Sequence, residues 1–166
     1  MDLKVITEPR IAAPPEGTVV LLIGLRINKF RMVHRWLPVI GSMIPMLIEL
    51  RKNKEHGFLS SRAWFNRTVI MVQYWRSMDD LTRYSHRADG RHRSMWAWFN
   101  RAVRDDGAVG IFHEAYVVSP DRMHSVYRNM PRFGMAAATE SVPQRQTPPV
   151  PGGRRGQREP RRRRAA

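Results

Sequence analysis

The chain holds no cysteine. That excludes a disulfide scaffold, a thiolate-held zinc or iron–sulfur centre, and a thiol nucleophile. Acids are scarce, with 14 Asp and Glu against 29 Lys and Arg and a net charge of +15 over 166 residues. No apolar run reaches the roughly 20 residues of a spanning helix. The most apolar stretch of helical length, Trp36 to Leu50, contains Glu49 and two prolines and is flanked by arginines, which suits a buried or interfacial helix. The opening Met1-Asp2-Leu3-Lys4 lacks the basic and apolar regions of a secretory signal, so the cytoplasm is the expected compartment. The six histidines show no H-E-x-x-H or H-x-H spacing. No G-x-S-x-G elbow, phosphate-binding loop or G-x-G-x-x-G turn occurs, so hydrolase and nucleotide-binding classes lack support.

What is present divides into a body and a tail. At 42% hydrophobic residues the body can bury a core, and the length suits one domain. Residues 143–166 carry eight arginines and one acid, five of the twelve prolines, and no aromatic residue. Such a segment cannot offset an ordering cost of about 1–2 kcal/mol per residue, and it is expected to be disordered. Its arginines suit nonspecific contact with nucleic acid or an anionic surface, but nothing among them could stack on bases.

The expected organisation is an irregular lead-in over 1–16, a folded domain over 17–142, and the tail over 143–166. Within the domain, Gly17 to Asn28 reads as a strand. Its face Val19, Leu21, Ile23, Leu25, Ile27 is wholly apolar, whereas Val20, Leu22, Gly24, Arg26, Asn28 turns polar. Trp36 to Asn53 is spaced as a helix, with Leu37, Ile40, Ile44, Leu47 and Leu50 or Arg51 at helical intervals. Pro38 suits a first turn, and Pro45 predicts a kink or break. Strands are expected at Phe58–Trp64, Thr68–Arg76 and Ala108–Val118. Ser77 caps a helix to about Ser85, and His92 to Arg104 is helical again. A short helix is expected from Ser119 to about Tyr127, and a last strand or extended arm over Phe133–Val142. That order is an α+β, ferredoxin-like split βαβ pattern, an antiparallel sheet with helices on one face. The bare face of such a sheet invites a second copy, giving a homodimeric barrel.

The stretch Val72-Gln-Tyr-Trp-Arg-Ser77 with Asp80-Leu81 and Tyr84 resembles the strand-to-helix corner of the dimeric α+β barrel superfamily. Ile23-Gly-Leu-Arg-Ile-Asn28, Ala108-Val-Gly-Ile-Phe-His-Glu-Ala-Tyr116, Tyr127-Arg-Asn-Met-Pro131 and Phe133-Gly134 extend the likeness across about residues 17–140. More closely, the chain resembles a bacterial family of monooxygenase-labelled proteins within that superfamily. The resemblance implies three options. One is cofactor-free oxidation, as in antibiotic-biosynthesis monooxygenases. Another is heme b chemistry, as in heme monooxygenases, chlorite dismutase-like proteins and aldoxime dehydratases. The third is non-catalytic ligand binding.

Candidate site residues follow. Glu114 and Tyr116 share a strand face, and a buried carboxylate beside a phenol suits a general base. The opposing reading is a glutamate paired with arginine or exposed at an edge. Arg26, Asn28, Gln73 and Trp75 could hold an oxygen-bearing substrate if their faces meet in one cavity. His92, on the stripe of Met95, Trp96 and Phe99, is the expected axial ligand if heme is bound. The leading expectation is a monooxygenase-like enzyme acting without metal or flavin on a small hydrophobic substrate. A heme-b enzyme and a ligand-binding dimer stand as alternatives.

Overall fold

The computed structural model describes residues 4–87 and 106–144. A four-stranded, wholly antiparallel sheet forms its centre. Its strands are β2 (Thr18–Ile27), β3 (Phe58–Trp64), β4 (Thr68–Trp75) and β5 (Val109–Val118), in the order β3-β4-β2-β5. With α1 (Val33–Lys52) between β2 and β3 and α2 (Met78–His86) after β4, this is the ferredoxin-like arrangement. The strand bounds follow the β-branched and aromatic runs closely, because those side chains fit a pleated, half-buried surface.

Register fixes which side chains share a face. The rows Met71–Ile23–His113 and Gln73–Leu21–Ala115 lie on one side. The rows Tyr74–Val20–Tyr116 and Val72–Leu22–Glu114 lie on the other. The first side carries the core. Val19, Leu21, Trp75, Phe58, Tyr84 and Leu50 form one buried cluster, and Leu25, Ile27, Val39, Val69 and Val109 form a second.

Two helix expectations need correction. First, α1 begins at Val33, so Pro38 lies well inside it, and the helix runs through Pro45 without interruption. A proline ring crowds the carbonyl four residues earlier and leaves it without a donor. For Pro38 and Pro45 those carbonyls belong to His34 and Gly41, both exposed, so water can take the missing place. Second, the buried stripe is shifted in part. Leu50 is buried and Ile40 and Leu47 pack against the cores as the spacing predicts, but Leu37 and Ile44 face outward and Val39 is buried instead.

The lead-in and the C-terminal arm are more ordered than the sequence suggests. Arg10–Ala13 forms β1 and Glu140–Pro143 forms β6, paired as an antiparallel ribbon. Met135–Ala138 is a single helical turn rather than strand, and of the helix expected after Ser119 only the 3-10 turn Pro120–Arg122 forms. Ala12, Met135 and Ala136 pack on Val20, Tyr74 and Val118, covering one end of the sheet's second face. The rest of that face, with Trp64, Ile70, Glu114 and Tyr116, is open. The expected helix at His92–Arg104 and nearly all of the tail lie outside the described residues.

Candidate active site

The corner from β4 into α2 organises the site. Alternation along β4 turns Gln73 and Trp75 inward and leaves Tyr74 on the opposite face. Ser77 caps α2, its hydroxyl accepting from the Asp80 N–H at 3.1 Å. Arg76 then donates to the Asp80 carboxylate at 2.7 and 3.1 Å, and Arg83 donates to it at 3.0 Å. The Asp80 carboxyl is held below its ordinary range, first by the Arg76 hydrogen bond, with Ser77 and both guanidinium charges acting in the same direction and burial opposing them. This clamp fixes α2 against the sheet. Tyr84, one turn on, stacks on Trp75 with ring centroids 5.5 Å apart.

Between the sheet's helix-side face and the two helices lies a cavity of about 250 Å³. Its floor is Leu21, Ile23, Met71, Gln73, Trp75, His113 and Ala115. Met43, Met46, Leu47 and Leu50 of α1 form one wall, and Met78, Leu81, Thr82, Tyr84 and Ser85 of α2 form the other. Methionine is flexible and polarisable, so a lining with one in the floor and three in the walls adapts to varied apolar shapes.

Polar groups are few here, and one is oriented in detail. The buried Trp75 indole donates from Nε1 to Gln73 Oε1 at 3.0 Å. An indole N–H can only donate, so the amide oxygen must face it and the Gln73 NH2 must point the other way. There Nε2 meets Met71 Sδ at 3.2 Å. A thioether is a weak acceptor, and an NH2 has two hydrogens, so Gln73 retains donor capacity for a ligand oxygen.

The sequence-predicted residues therefore do not converge. Gln73 lines the cavity, and so does Trp75. Glu114 and Tyr116 lie on the other face and are exposed, with the Tyr116 hydroxyl donating to Glu114 Oε2 at 2.6 Å. The expected buried glutamate is thus an exposed one, because β5 is an edge strand. That hydrogen bond, then the Glu114 charge, raises the Tyr116 pKa above 10.0. Arg26 is exposed on the open face and donates to Thr68 Oγ1 at 2.9 Å. Asn28 is exposed beyond the end of β2. A sheet one residue thick separates these four from the cavity. His92 lies outside the described residues.

His113 is the residue that sequence reasoning passed over. It pairs with Ile23, on the apolar face of β2, and lines the cavity from an exposed position on the edge strand. The alternation of β5 already separated it from Glu114, but only the β2–β5 register shows that it lies on the helix side of the sheet.

Among the described residues no cluster of three or more His, Asp or Glu side chains could hold a metal ion. At about 250 Å³ the cavity is smaller than the roughly 300–1,000 Å³ of drug-sized ligand sites.

Fold and site together define a ferredoxin-like domain with a small, methionine-walled cavity under its helices. The chain matches the family described as Monooxygenase af470-like over residues 18–135, and it belongs to that family. A curated relative, Monooxygenase af470 of Aspergillus fumigatus, is 24% identical over 86 residues, covering 48% of this chain and 30% of the relative. The chain thus spans about a third of that relative's length. Among solved structures, one aldoxime dehydratase superposes with a TM-score of 0.63 at 18% identity, covering 82% of this chain and 44% of that one. A second, aldoxime dehydratase in complex with butyraldoxime, gives 0.56 at 16%, covering 72% and 38%. These likenesses carry the fold. No described helix is long and apolar enough to cross a membrane.

Proposed function

We propose that the chain is a monooxygenase that oxidises a small, apolar, oxygen-bearing molecule in the cavity between sheet and helices, using no metal or flavin. The observation that carries this is the Trp75–Gln73 relay, which leaves an amide donor in the lining of a mostly apolar cavity. Such a donor suits a carbonyl or phenol oxygen whose negative charge grows during reaction. His113 takes the role of base first expected of Glu114. It removes a proton from a CH2 activated by the adjacent oxygen function, and Gln73 Nε2 donates to the resulting enolate. The enolate carbon then gives its electron pair to dioxygen. Loss of water from the peroxide leaves a carbonyl, so that R–CH2–R′ and O2 yield R–CO–R′ and H2O. The open face of the sheet pairs with a second copy, its remaining apolar residues finding their cover there.

Oxygen uptake with anthrone or a hydroquinone tests this. His113→Phe is expected to slow uptake by at least about 100-fold, the scale of a lost general base. Gln73→Glu keeps an acceptor for Trp75 but removes the donor, with a loss of about the same order. Uptake unaltered in both variants removes this site from the chemistry. The heme reading draws on the likeness to aldoxime dehydratases, and added hemin decides it: a sharp Soret band lost in His92→Ala or His113→Ala would replace the cofactor-free scheme.

A further inference from the structure

The outward side of α1 is an unusual surface. Val33 is 44% exposed, Leu37 53%, Ile44 57% and Ile48 48%. At about 100° per residue these four, with the exposed Gly41, fall within roughly 80° of the helix circumference. No charged residue lies on that arc between Val33 and Ile48, and Arg51 follows on it one turn later. Phe30, 63% exposed, extends the stripe at its N-terminal end, where its ring meets Trp36 at 5.6 Å. The stripe runs nearly the length of the helix, and contiguous exposed apolar surface of this kind marks an interaction site.

The charges around it indicate the partner. Lys29 and Arg31 are exposed at one end, and Arg51, Lys52 and Lys54 at the other, with Glu55 the only exposed acid beside them. An apolar stripe bracketed by cations is the pattern of a helix lying in the plane of an anionic bilayer, its apolar face about 5–10 Å deep in the headgroup boundary. Each cation held near such a surface adds to the attraction, and salt weakens it. The helix does not cross the membrane, consistent with its two prolines and its last-turn cations.

We propose that α1 docks this domain on an anionic lipid surface, through Phe30, Val33, Leu37, Ile44 and Ile48. The opposite side of the same helix supplies Met43, Met46 and Leu47 to the cavity wall. Docking places that wall next to the lipid, from which an apolar molecule can be drawn without passing through water. The docking itself does not depend on the proposed oxidation.

Vesicle flotation with the full chain is the test. The protein is expected to float with vesicles of phosphatidylcholine and phosphatidylglycerol and far less with phosphatidylcholine alone. Ile44→Glu with Ile48→Glu is expected to weaken the partition at least tenfold at unchanged melting temperature, since both side chains are exposed. Leu37→Ser with Ile48→Ser is the milder pair and is expected to lie between the double glutamate variant and the parent. Three results overturn the proposal. One is no flotation of the parent. Another is flotation equal in parent and variants, which assigns binding to the arginine-rich C-terminal segment. The third is a dimer in vesicle-free solution that the glutamate pair dissociates and vesicles do not, which makes the stripe a protein interface.

Discussion

The two faces of the central sheet treat polar side chains in opposite ways. On the open face, Arg26 meets Thr68 and Glu114 meets Tyr116, each pair close-range and exposed. On the helix-covered face there are fewer polar groups, but Gln73 and Trp75 are buried and each fixes the other. Chemistry-bearing residue types are thus more numerous where water already satisfies them. The site lies where an amide must be satisfied by protein and still has a donor left over. A polar residue marks a site by the constraint on it rather than by its kind.

The sharpest break of this comparison uses two tryptophans, one per face. Trp75 is 1% exposed and packs on Phe58 and Tyr84 with centroids 5.5 Å away in each case. Trp75→Ala is expected to cost about 3–5 kcal/mol in urea denaturation, the usual loss for a buried aromatic side chain. It also strands the Gln73 oxygen. Trp64, 47% exposed on the open face, touches Phe133 edge-on with centroids 6.3 Å apart. At dilutions that separate the two copies, Trp64→Ala is expected to cost about 1 kcal/mol, near the worth of one aromatic contact. Equal losses would mean that the open face is as well covered as the other, by a second copy that persists in the assay.

The clamp at Asp80 gives the next effect. Asp80 lies at the foot of α2, buried, between Arg76 and Arg83. Asp80→Asn is expected to cost about 2 kcal/mol near neutral pH, the scale of a hydrogen bond to a charged group. The sign of its pH dependence follows from the direction of the shift. The folded-state pKa lies below the ordinary 3.8, so the contribution is complete above that value and is lost as pH falls through the folded one. Parent and variant should therefore converge in stability in strong acid. A gap of constant size from pH 7 down to pH 2 would show that packing at this corner, rather than the carboxylate, holds α2.

Much of this was legible from the residues. The strand at Phe58–Trp64 was expected with the bounds observed, and Ser77 caps the helix it was expected to cap. Local signals suffice there, because a turn, a cap and an alternating run are set by neighbours in sequence. Three features were not legible, each for a nonlocal reason. The β1–β6 ribbon joins residues about 130 positions apart, and neither four-residue strand has a pattern of its own. On α1 the spacing groups Leu37 and Ile44 with Ile40, Leu47 and Leu50, yet the first two face outward and Val39 is buried, a choice that only packing makes. The convergence of Arg26, Asn28, Gln73, Trp75, Glu114 and Tyr116 required opposite faces to meet, which the register forbids. The same register, applied to β5, points to His113.

The smallest expected effect tests the open face at its most polar point. If Glu114 and Tyr116 form an exposed pair and no more, Glu114→Gln leaves both oxygen uptake and the unfolding midpoint where the parent has them, because exposed polar contacts contribute little. One property must still change. The Tyr116 hydroxyl is raised above its ordinary 10.0 mainly by donating to the carboxylate, so the variant's phenol should ionise at lower pH in an absorbance titration. With a folded value above the unfolded one, the pair's small stabilisation is present below about pH 10 and fades as pH rises through the folded value. Tyr74 also titrates high, first from burial and then from Tyr127, so Tyr74→Phe in both backgrounds separates the two signals. A phenol that moves while uptake holds would confirm that Glu114 is surface chemistry. Uptake that falls in Glu114→Gln would return this carboxylate to the mechanism, and with it the open face.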